Sequence, residues 1–372
     1  MCIRDRNLGN DYQQQILALI PVMEARIGRQ LQQPVVFWTE SRPLSDDLNE
    51  WRDDNEAHAG AWTTHAYIDP DGKWRPSLQR IQTTACLIHV TPTGVFPAGA
   101  ARVAILAHEI YHCFQMDLID GRDRRLVEGW LTEGSAGYAG EFFANGSTYA
   151  THWWESYLNN EASIFARAYA DIGVYATLQQ AGQNAFEIID ELYRTASDQR
   201  RARFLGLMST SSLQLLPMVL ARSPEWGANW NLQFPESYQP GSYPKHSVTL
   251  DPVPHVLVPP ATTPIHYGVR FPNNKFIALE VQGQVYGAMR VQDDTGRTLW
   301  EGRIEPGTRH KFCSGQACTC TGDVPAFDVT RFGENPFLQL YLFAKDDTGQ
   351  LNFSETTPGC CENAASLDPR FV

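Results

Sequence analysis

The chain has 372 residues, of which 43% are hydrophobic and 19% are charged, and its formal net charge is −12 at pH 7. A chain of this length can bury a large core, and we expect two or three domains. The acidic balance argues against nucleic acids and anionic membranes as partners, and no apolar run reaches the roughly 18 residues that a membrane span needs.

The first 98 residues predict an α+β sheet subdomain. Residues 11–32 carry a helical pattern that is interrupted by Pro21, and residues 35–38 are a short strand candidate. Residues 85–90 form the clearest strand of this region, and their apolar character favours a central position in a sheet.

The segment 101–115 is apolar on nearly all sides and therefore predicts a buried helix. His108 and His112 are four residues apart, so their imidazoles share one helical face and can reach one ion. Zinc accepts neutral imidazole and leaves one position to water in catalytic sites. Glu109 lies about 100° round the helix, where it can take a proton from the water that the ion holds. The alternative is a pair of histidines hydrogen-bonded inside a core helix.

A second segment, 130–138, offers the third protein ligand that a zinc site requires, namely Glu133. Gly134, Gly137 and Gly140 recur at every third position, and glycine is unfavourable inside a helix. We therefore expect this side of the segment to approach the first helix closely and to carry Glu133 to the metal.

These two segments together resemble the gluzincin metallopeptidases, whose third zinc ligand is a glutamate on a later helix. The second segment of the related aminopeptidases reads Trp-Leu-Asn-Glu-Gly-Phe-Ala-Ser-Tyr. The resemblance covers residues 100–190 and implies a zinc-dependent peptide hydrolase with a zincin-like catalytic domain, built from a small β-sheet and helices. It implies one Zn²⁺ ion held by His108, His112 and Glu133. The matching residues of the second segment are Trp130, Leu131, Glu133, Gly134, Ala136 and Tyr138.

Two positions depart from the family pattern. Twenty residues separate His112 from Glu133, slightly more than usual, which predicts a longer turn around residues 120–123. The family often has a carboxylate seven residues after the ligand glutamate, where this chain has Gly140 followed by Glu141.

The chain has helical character up to about residue 221, with a break at Gly182, and residues 99–234 are expected to form the helical zinc-site subdomain. The family stabilises the negative charge that develops on the carbonyl oxygen with a tyrosine or histidine. Tyr169 and Tyr175, with His152 behind them, are the candidates for this catalytic role, and Tyr169 is the preferred one.

Eight prolines between residues 235 and 264 predict a linker or an extended wrapping segment. Residues 265–372 then predict a cysteine-containing β-sandwich, with strands at 276–281 and 337–343 as the clearest. Two Asp-Asp-Thr-Gly loops, 293–296 and 346–349, are interpreted as hairpin loops with a left-handed glycine, and calcium ligation is the alternative.

The cysteines are unevenly distributed. Cys86 and Cys113 flank the zinc motif, whereas five others are clustered near the C-terminus. The cluster favours disulfides over a zinc ribbon because paired Cys-x-x-Cys knuckles are missing, so we expect an extracytoplasmic or secreted protein. Residues 1–6 lack the apolar core of a signal peptide, and a native signal is expected to be missing. The clustered cysteines are Cys313, Cys318, Cys320, Cys360 and Cys361.

The sequence therefore predicts a zinc metallopeptidase acting on peptide or protein substrates. Aminopeptidases of the family carry a Gly-x-Met-Glu-Asn segment before the zinc motif, and nothing before Ala101 matches it. This favours an endopeptidase or a specialised amidase. The alternative from another class is a non-catalytic zincin-like binding module for a glycan or protein surface, with a relic or structural metal site. The presence of Glu109 argues against that alternative, since a structural site needs no general base.

Overall fold

The structure is a computed structural model with mixed helix and sheet. It describes residues 10–39, 61–68, 74–77, 85–90, 99–119, 127–145, 151–221, 246–272, 275–292, 298–313, 327–328 and 337–356. Several predicted features lie outside these residues, namely the turn at 120–123, the first Asp-Asp-Thr-Gly loop and four of the five clustered cysteines.

The described residues include eight α-helices and three short 3₁₀ turns. The helices are α1 (Asn10–Ile27), α2 (Ala100–Leu118), α3 (Gly129–Ala144), α4 (Thr151–Asn159), α5 (Ile172–Gln180), α6 (Ala185–Arg194), α7 (Arg200–Leu207) and α8 (Thr210–Met218). The 3₁₀ turns are Ile164–Ala166, Tyr169–Asp171 and Val219–Ala221.

The strands form three sheets. The N-terminal sheet contains β1 (Val35–Thr39), β2 (Ala61–Ile68), β3 (Trp74–Ser77) and β4 (Ala85–Val90). The remaining strands are β5 (His246–Thr249), β6 (His255–Leu257), β7 (Pro264–Arg270), β8 (Phe276–Gln282), β9 (Val285–Gln292), β10 (Thr298–Ile304), β11 (Arg309–Cys313), β12 (Phe327–Asp328), β13 (Phe337–Ala344) and β14 (Gln350–Glu355).

The N-terminal sheet has the order β1-β4-β2-β3, which confirms the central position predicted for residues 85–90. β4 is parallel to β1 and antiparallel to β2, and all six of its residues are buried. Side chains alternate between the two faces of a strand. Cys86, Ile88 and Val90 accordingly join the main hydrophobic core with α2, whereas Ala85 and Leu87 pack on Val36 in a separate cluster. Helix α2 therefore packs against this face of the sheet.

The helical region packs into the same main core. Most of α2 and α3 is buried, because both helices are apolar nearly all round and are covered by α4 to α6. Gly182 has a φ of +79°, a conformation that glycine adopts readily, and it separates α5 from α6 at the predicted break. None of the helices within the described ranges is both long and apolar enough to cross a bilayer.

The C-terminal residues form two five-stranded sheets, β10-β9-β13-β7-β5 and β12-β11-β8-β14-β6. Apolar residues from both sheets, such as Leu279 and Phe353 from one and Met289 and Leu340 from the other, belong to one hydrophobic cluster. The two strands predicted at 276–281 and 337–343 correspond to β8 and β13.

Two expectations for this region are corrected. Within the segment 235–264, the described residues 246–264 are not a linker but extended chain: β5 pairs with β7 and β6 pairs with β14, so these residues belong to both sheets. The loop at 346–349 is not a hairpin loop, because β13 and β14 lie in different sheets. Its glycine, Gly349, is needed for space and not for a left-handed φ: a Cβ there would lie 2.6 Å from Cγ2 of Val285.

The helical region and the C-terminal sheets are in direct contact. Met218 at the end of α8 packs with Ala288 and Tyr341, and Ser163 Oγ lies 2.7 Å from Thr262 Oγ1. The backbone N–H of Ile164 also donates to the carbonyl of Thr262 at 2.9 Å.

Candidate metal centre

Helix α2 positions His108 and His112 side by side. Both residues are buried, their Nε2 atoms are 3.1 Å apart, and their rings meet edge to face at a centroid distance of 4.7 Å. The spacing of four residues produces this pairing, as the sequence predicts, because such residues are neighbours on a helix.

Glu133 reaches the same point from the second turn of α3. Its Oε2 atom lies 3.5 Å from Nε2 of His108 and 3.3 Å from Nε2 of His112. Within the described residues, these three are the only group of at least three His, Cys, Asp or Glu side chains whose ligand atoms converge. The structure therefore brings together the three residues that the sequence predicts as metal ligands.

The close approach of α2 and α3 depends on Gly140. A Cβ atom on this residue would lie 2.6 Å from the carbonyl oxygen of Ala104 and 3.3 Å from Cβ of His108. The other two glycines do not face α2, which corrects the expected single stripe. Gly134 faces Asp171 and the carbonyl of Ala168, and Gly137 faces Trp153 on α4. Each step of three residues turns the side-chain direction by about 60°, so Gly134 and Gly140 point about 120° apart.

The three ligand atoms have the spacing of one face of a zinc tetrahedron. Bonds of about 2.0–2.1 Å to zinc give ligand-to-ligand edges of about 3.3–3.4 Å. The observed edges are 3.1, 3.3 and 3.5 Å. Two imidazoles and one carboxylate suit zinc better than magnesium or calcium, which prefer oxygen ligands. A proton on His108 Nε2 can bridge only one of the three pairs at a time, whereas a cation satisfies all three together.

Glu109 lies outside the ligand group and is held by the sheet. Thr63 on β2 places its hydroxyl 2.5 Å from Oε2 of Glu109, and both residues are buried. The same hydroxyl is 3.1 Å from the backbone carbonyl of Glu109, but its single proton is better used by the shorter contact to a carboxylate. Oε1 of Glu109 is the oxygen that Thr63 leaves open. Sequence reasoning missed Thr63, which is 46 residues away from Glu109 along the chain.

His112 has a second polar contact on its other ring nitrogen. Its Nδ1 atom lies 2.7 Å from Oε1 of Gln115, a buried residue on the next turn of α2. Nε2 of Gln115 in turn lies 2.8 Å from the carbonyl of Thr132 and 2.9 Å from Oγ of Ser135, both on α3. The sequence analysis did not identify Gln115 as a partner of His112 either, although residues three apart are neighbours on a helix.

Tyr169 and Trp153 form an aromatic wall beside His108. The ring centroid of His108 lies 5.3 Å from that of Trp153 and 5.8 Å from that of Tyr169. The rings of Trp153 and Tyr169 are nearly parallel to each other, at 5.4 Å. Trp153 is buried, whereas Tyr169 is 42% exposed and therefore lies between the ligand group and solvent.

The alternative oxyanion residues are placed differently. Tyr175 is buried, and its hydroxyl donates to the carbonyl of Trp130 at 2.9 Å, so its proton already has an acceptor. The side chain of His152 lies outside the described residues. Glu141 is fully buried within α3.

A disulfide between Cys86 and Cys113 links helix α2 to the N-terminal sheet. It joins the second residue of β4 to the residue next to His112, with a Cα–Cα distance of 5.6 Å, and both cysteines are buried. Sequence reasoning noted both residues but did not pair them. The sequence did contain an indication of this pairing, because both cysteines occupy strongly apolar elements that follow each other in the chain. The backbone of Cys313 lies in β11, and the other clustered cysteines lie outside the described residues.

Asp171 is a buried carboxyl group that lies against helix α3. It packs against Gly134, and within the described residues neither of its carboxyl oxygens has a hydrogen-bond partner. Burial raises the pKa of Asp171 well above its ordinary value, and the nearby Arg167 guanidinium opposes this only in part. A neutral carboxylic acid is therefore favoured at this position.

Comparisons with known proteins supply no relative. No model of a known protein family matches the chain. No curated protein is significantly similar to it in sequence either.

Proposed function

We propose that this protein is a zinc-dependent metallopeptidase of the gluzincin type, with one ion held by His108, His112 and Glu133. The observation that carries the proposal is the convergence of Nε2, Nε2 and Oε2 at mutual distances of 3.1–3.5 Å. The three residues would hold a zinc ion with three protein ligands and would leave one position to water or substrate, as a catalytic zinc site requires. A zinc ion supplies Lewis acidity there, which polarises a carbonyl oxygen and lowers the pKa of water.

In this proposal Glu109 is the general base. It accepts a proton from the water that attacks the peptide carbonyl and then delivers that proton to the departing amine nitrogen. The water oxygen becomes part of the new carboxyl group, and the C–N bond breaks. Glu109 is suited to this role because it is buried, directly follows His108 on α2 and lies outside the ligand group. Thr63 holds one of its oxygens and leaves Oε1 for the proton.

Tyr169 is proposed to stabilise the negative charge that develops on the carbonyl oxygen of the substrate. Its ring lies against His108 at the solvent-facing side of the ligand group, where a substrate would arrive. Tyr175 is the weaker choice, since its hydroxyl donates to the backbone of α3. A phenol that donates to a developing oxyanion lowers the barrier without taking part in covalent chemistry.

The N-terminal sheet and the helices around the ligand group are interpreted as a zincin-like catalytic domain, and the two C-terminal sheets as a β-sandwich. The absence of the aminopeptidase segment from the sequence supports an endopeptidase acting on peptides or proteins. The buried disulfide between Cys86 and Cys113 supports an oxidising, extracytoplasmic location.

The main experiment compares three glutamate variants by zinc content and hydrolysis. Glu109→Gln should keep stoichiometric zinc and lose at least about 100-fold in turnover, because only the base is removed. Glu133→Gln should lose zinc, because a neutral amide replaces the anionic ligand. Glu128→Gln is the matched control: it precedes α3 and pairs with Arg200 at 2.9 Å, away from the ligands. It should keep both zinc and turnover.

Two results would contradict the proposal. Wild-type turnover in Glu109→Gln would show that this carboxylate is not the base. Stoichiometric zinc without cleavage of any peptide or protein by the wild-type chain would favour the non-catalytic binding module instead. Internally quenched peptides with blocked N-termini test the endopeptidase assignment, because an aminopeptidase cleaves only peptides with a free amine.

A further inference from the structure

Gln115 connects the ring of His112 to helix α3 through one side-chain amide. The residue is fully buried on α2, and its Oε1 atom lies 2.7 Å from Nδ1 of His112. Its Nε2 atom lies 2.8 Å from the carbonyl of Thr132, the residue that precedes Glu133, and 2.9 Å from Oγ of Ser135. The amide thus spans from one ligand helix to the other.

The orientation of this amide is fixed by α3. The carbonyl of Thr132 can only accept a hydrogen bond. The hydroxyl of Ser135 lies 2.5 Å from the carbonyl of Leu131, so its single proton is donated there and its oxygen accepts from Gln115. Two acceptors therefore face one end of the amide, and that end must be the NH₂ group. The carbonyl oxygen of Gln115 must then face His112.

This orientation determines which nitrogen of His112 carries the proton. Oε1 of Gln115 only accepts, so Nδ1 of His112 must be the donor. A neutral imidazole has one N–H, which leaves a lone pair on Nε2. That atom lies 3.1 Å from Nε2 of His108 and 3.3 Å from Oε2 of Glu133. The lone pair is therefore presented to the ligand group before any ion arrives.

His108 has no equivalent support from the described residues. Its Nδ1 atom is buried and has no hydrogen-bond partner among them. Its ring is held by the aromatic wall of Trp153 and Tyr169 and by the close contact with Gly140. The two histidines are thus oriented by different means, polar for His112 and steric for His108.

We propose that Gln115 is a positioning residue of the metal centre. It selects the Nδ1–H tautomer of His112 and ties this ligand to the turn of α3 that carries Glu133. The inference rests on the proposed function for the identity of the ion, but the tautomer and the tie between the helices belong to the metal-free chain. Partners of this kind typically change metal affinity by about 10- to 100-fold when they are removed.

The first test measures the tautomer of His112 in the metal-free wild-type protein. Long-range ¹H–¹⁵N NMR spectra at about pH 8, above the ordinary histidine pKa, distinguish a protonated from an unprotonated ring nitrogen. We expect Nδ1 of His112 to be protonated and Nε2 to be bare. A dominant Nε2–H tautomer would overturn the proposal.

The second test compares Gln115→Met with Gln183→Met. Methionine is close to glutamine in volume but has no amide. Gln183 is the matched control, because it donates to the carbonyl of Leu207 and accepts from the backbone of Ser209 and from Ser212, away from the ligands. Zinc affinity, measured by competition with a chromophoric chelator, should fall about 10- to 100-fold in Gln115→Met only. Wild-type affinity in Gln115→Met, or equal losses in both variants, would overturn the proposal.

The two tests separate this inference from the proposed function. A wild-type chain that binds no zinc would contradict the proposed function, and the NMR result would still decide the role of Gln115. A chain that binds zinc but hydrolyses nothing would leave both tests of Gln115 intact. If Gln115→Met does not fold, the tautomer in the wild-type protein decides alone.

Discussion

The hydroxyl of Thr63 donates to the carboxylate of Glu109 across the interface between β2 and α2, at 2.5 Å and away from solvent. β2 pairs with β4 so that Thr63 is opposite Ile88, on the face of the sheet that packs against α2. The strand register therefore determines which side chain supports the proposed base.

Replacement of Thr63 by valine tests this contact. The variant keeps the shape of the side chain but removes a hydrogen bond to a charged group, which is worth about 1.5–3 kcal/mol. We expect turnover to fall about 10- to 100-fold while zinc content stays at the wild-type level. Thr177→Val is the control, because Thr177 is equally buried but donates to the carbonyl of Gly173 within α5. Equal turnover in the two variants would show that Thr63 does not support Glu109.

Gly140→Ala tests the close approach of the ligand helices. The new methyl group would meet the backbone oxygen of Ala104 at 2.6 Å, and a backbone atom cannot rotate away. We expect a loss of about 1–3 kcal/mol in the free energy of unfolding, together with weaker zinc binding. Gly206→Ala is the control, because Gly206 is an exposed residue of α7 with nothing within 4 Å of the added atom. This change should raise stability by about 0.5–1 kcal/mol. Wild-type zinc affinity in Gly140→Ala would contradict the tight packing of α2 on α3.

The double variant Cys86→Ala/Cys113→Ala tests the disulfide. The bond closes a loop with a sequence separation of 27, which limits the freedom of the unfolded chain. Its removal should lower the free energy of unfolding by about 3.5 kcal/mol, measured by urea denaturation. Alkylation of the denatured wild-type protein followed by mass spectrometry provides the direct measurement. Alkylated thiols at both positions would show that the bond is absent.

Asp171→Asn should change the pH dependence of stability. The pKa of Asp171 is raised in the folded protein, so the folded state binds this proton more tightly than the unfolded state does. Wild-type stability should therefore fall as pH rises from about 4, the unfolded value, towards the raised folded pKa. Asparagine has no such proton, so the variant should gain stability relative to wild type over that range. The neighbouring phenols of Tyr157 and Tyr175 stay neutral because burial raises their pKa values too. A stability difference that stays constant between about pH 4 and pH 8 would contradict this assignment.

The parts of the site that the sequence predicts are local or motif-like. The spacing of His108 and His112 determines their pairing, because helix geometry relates residues four apart. Glu133 was predicted as the third ligand from the family resemblance of segment 130–138 and from the glycines beside it. The apolar run at 85–90 predicted a central strand, and the strand order confirms it.

The supporting contacts depend on long-range packing, and the sequence analysis did not identify them. Thr63 reaches Glu109 only because β2 has a particular register against β4. Cys86 and Cys113 pair because α2 lies on the same face of β4 that Cys86 occupies. The glycine pattern was interpreted as one stripe, but α3 is surrounded by several elements, and only Gly140 faces α2. Composition also predicted a linker or an extended wrapping segment at 235–264, because proline is common in extended segments, and the described part, 246–264, contains two paired strands.

The covalent link between Cys86 and Cys113 anchors the histidine-bearing helix without help from any ion. In small zinc-dependent folds the cation itself organises the chain, and chelators unfold them. If the chain binds zinc as proposed, a chelator should instead yield an intact apoprotein that can be reloaded with metal. Cobalt could then replace zinc as a coloured reporter of the coordination geometry, since it tolerates the same nitrogen and oxygen donors.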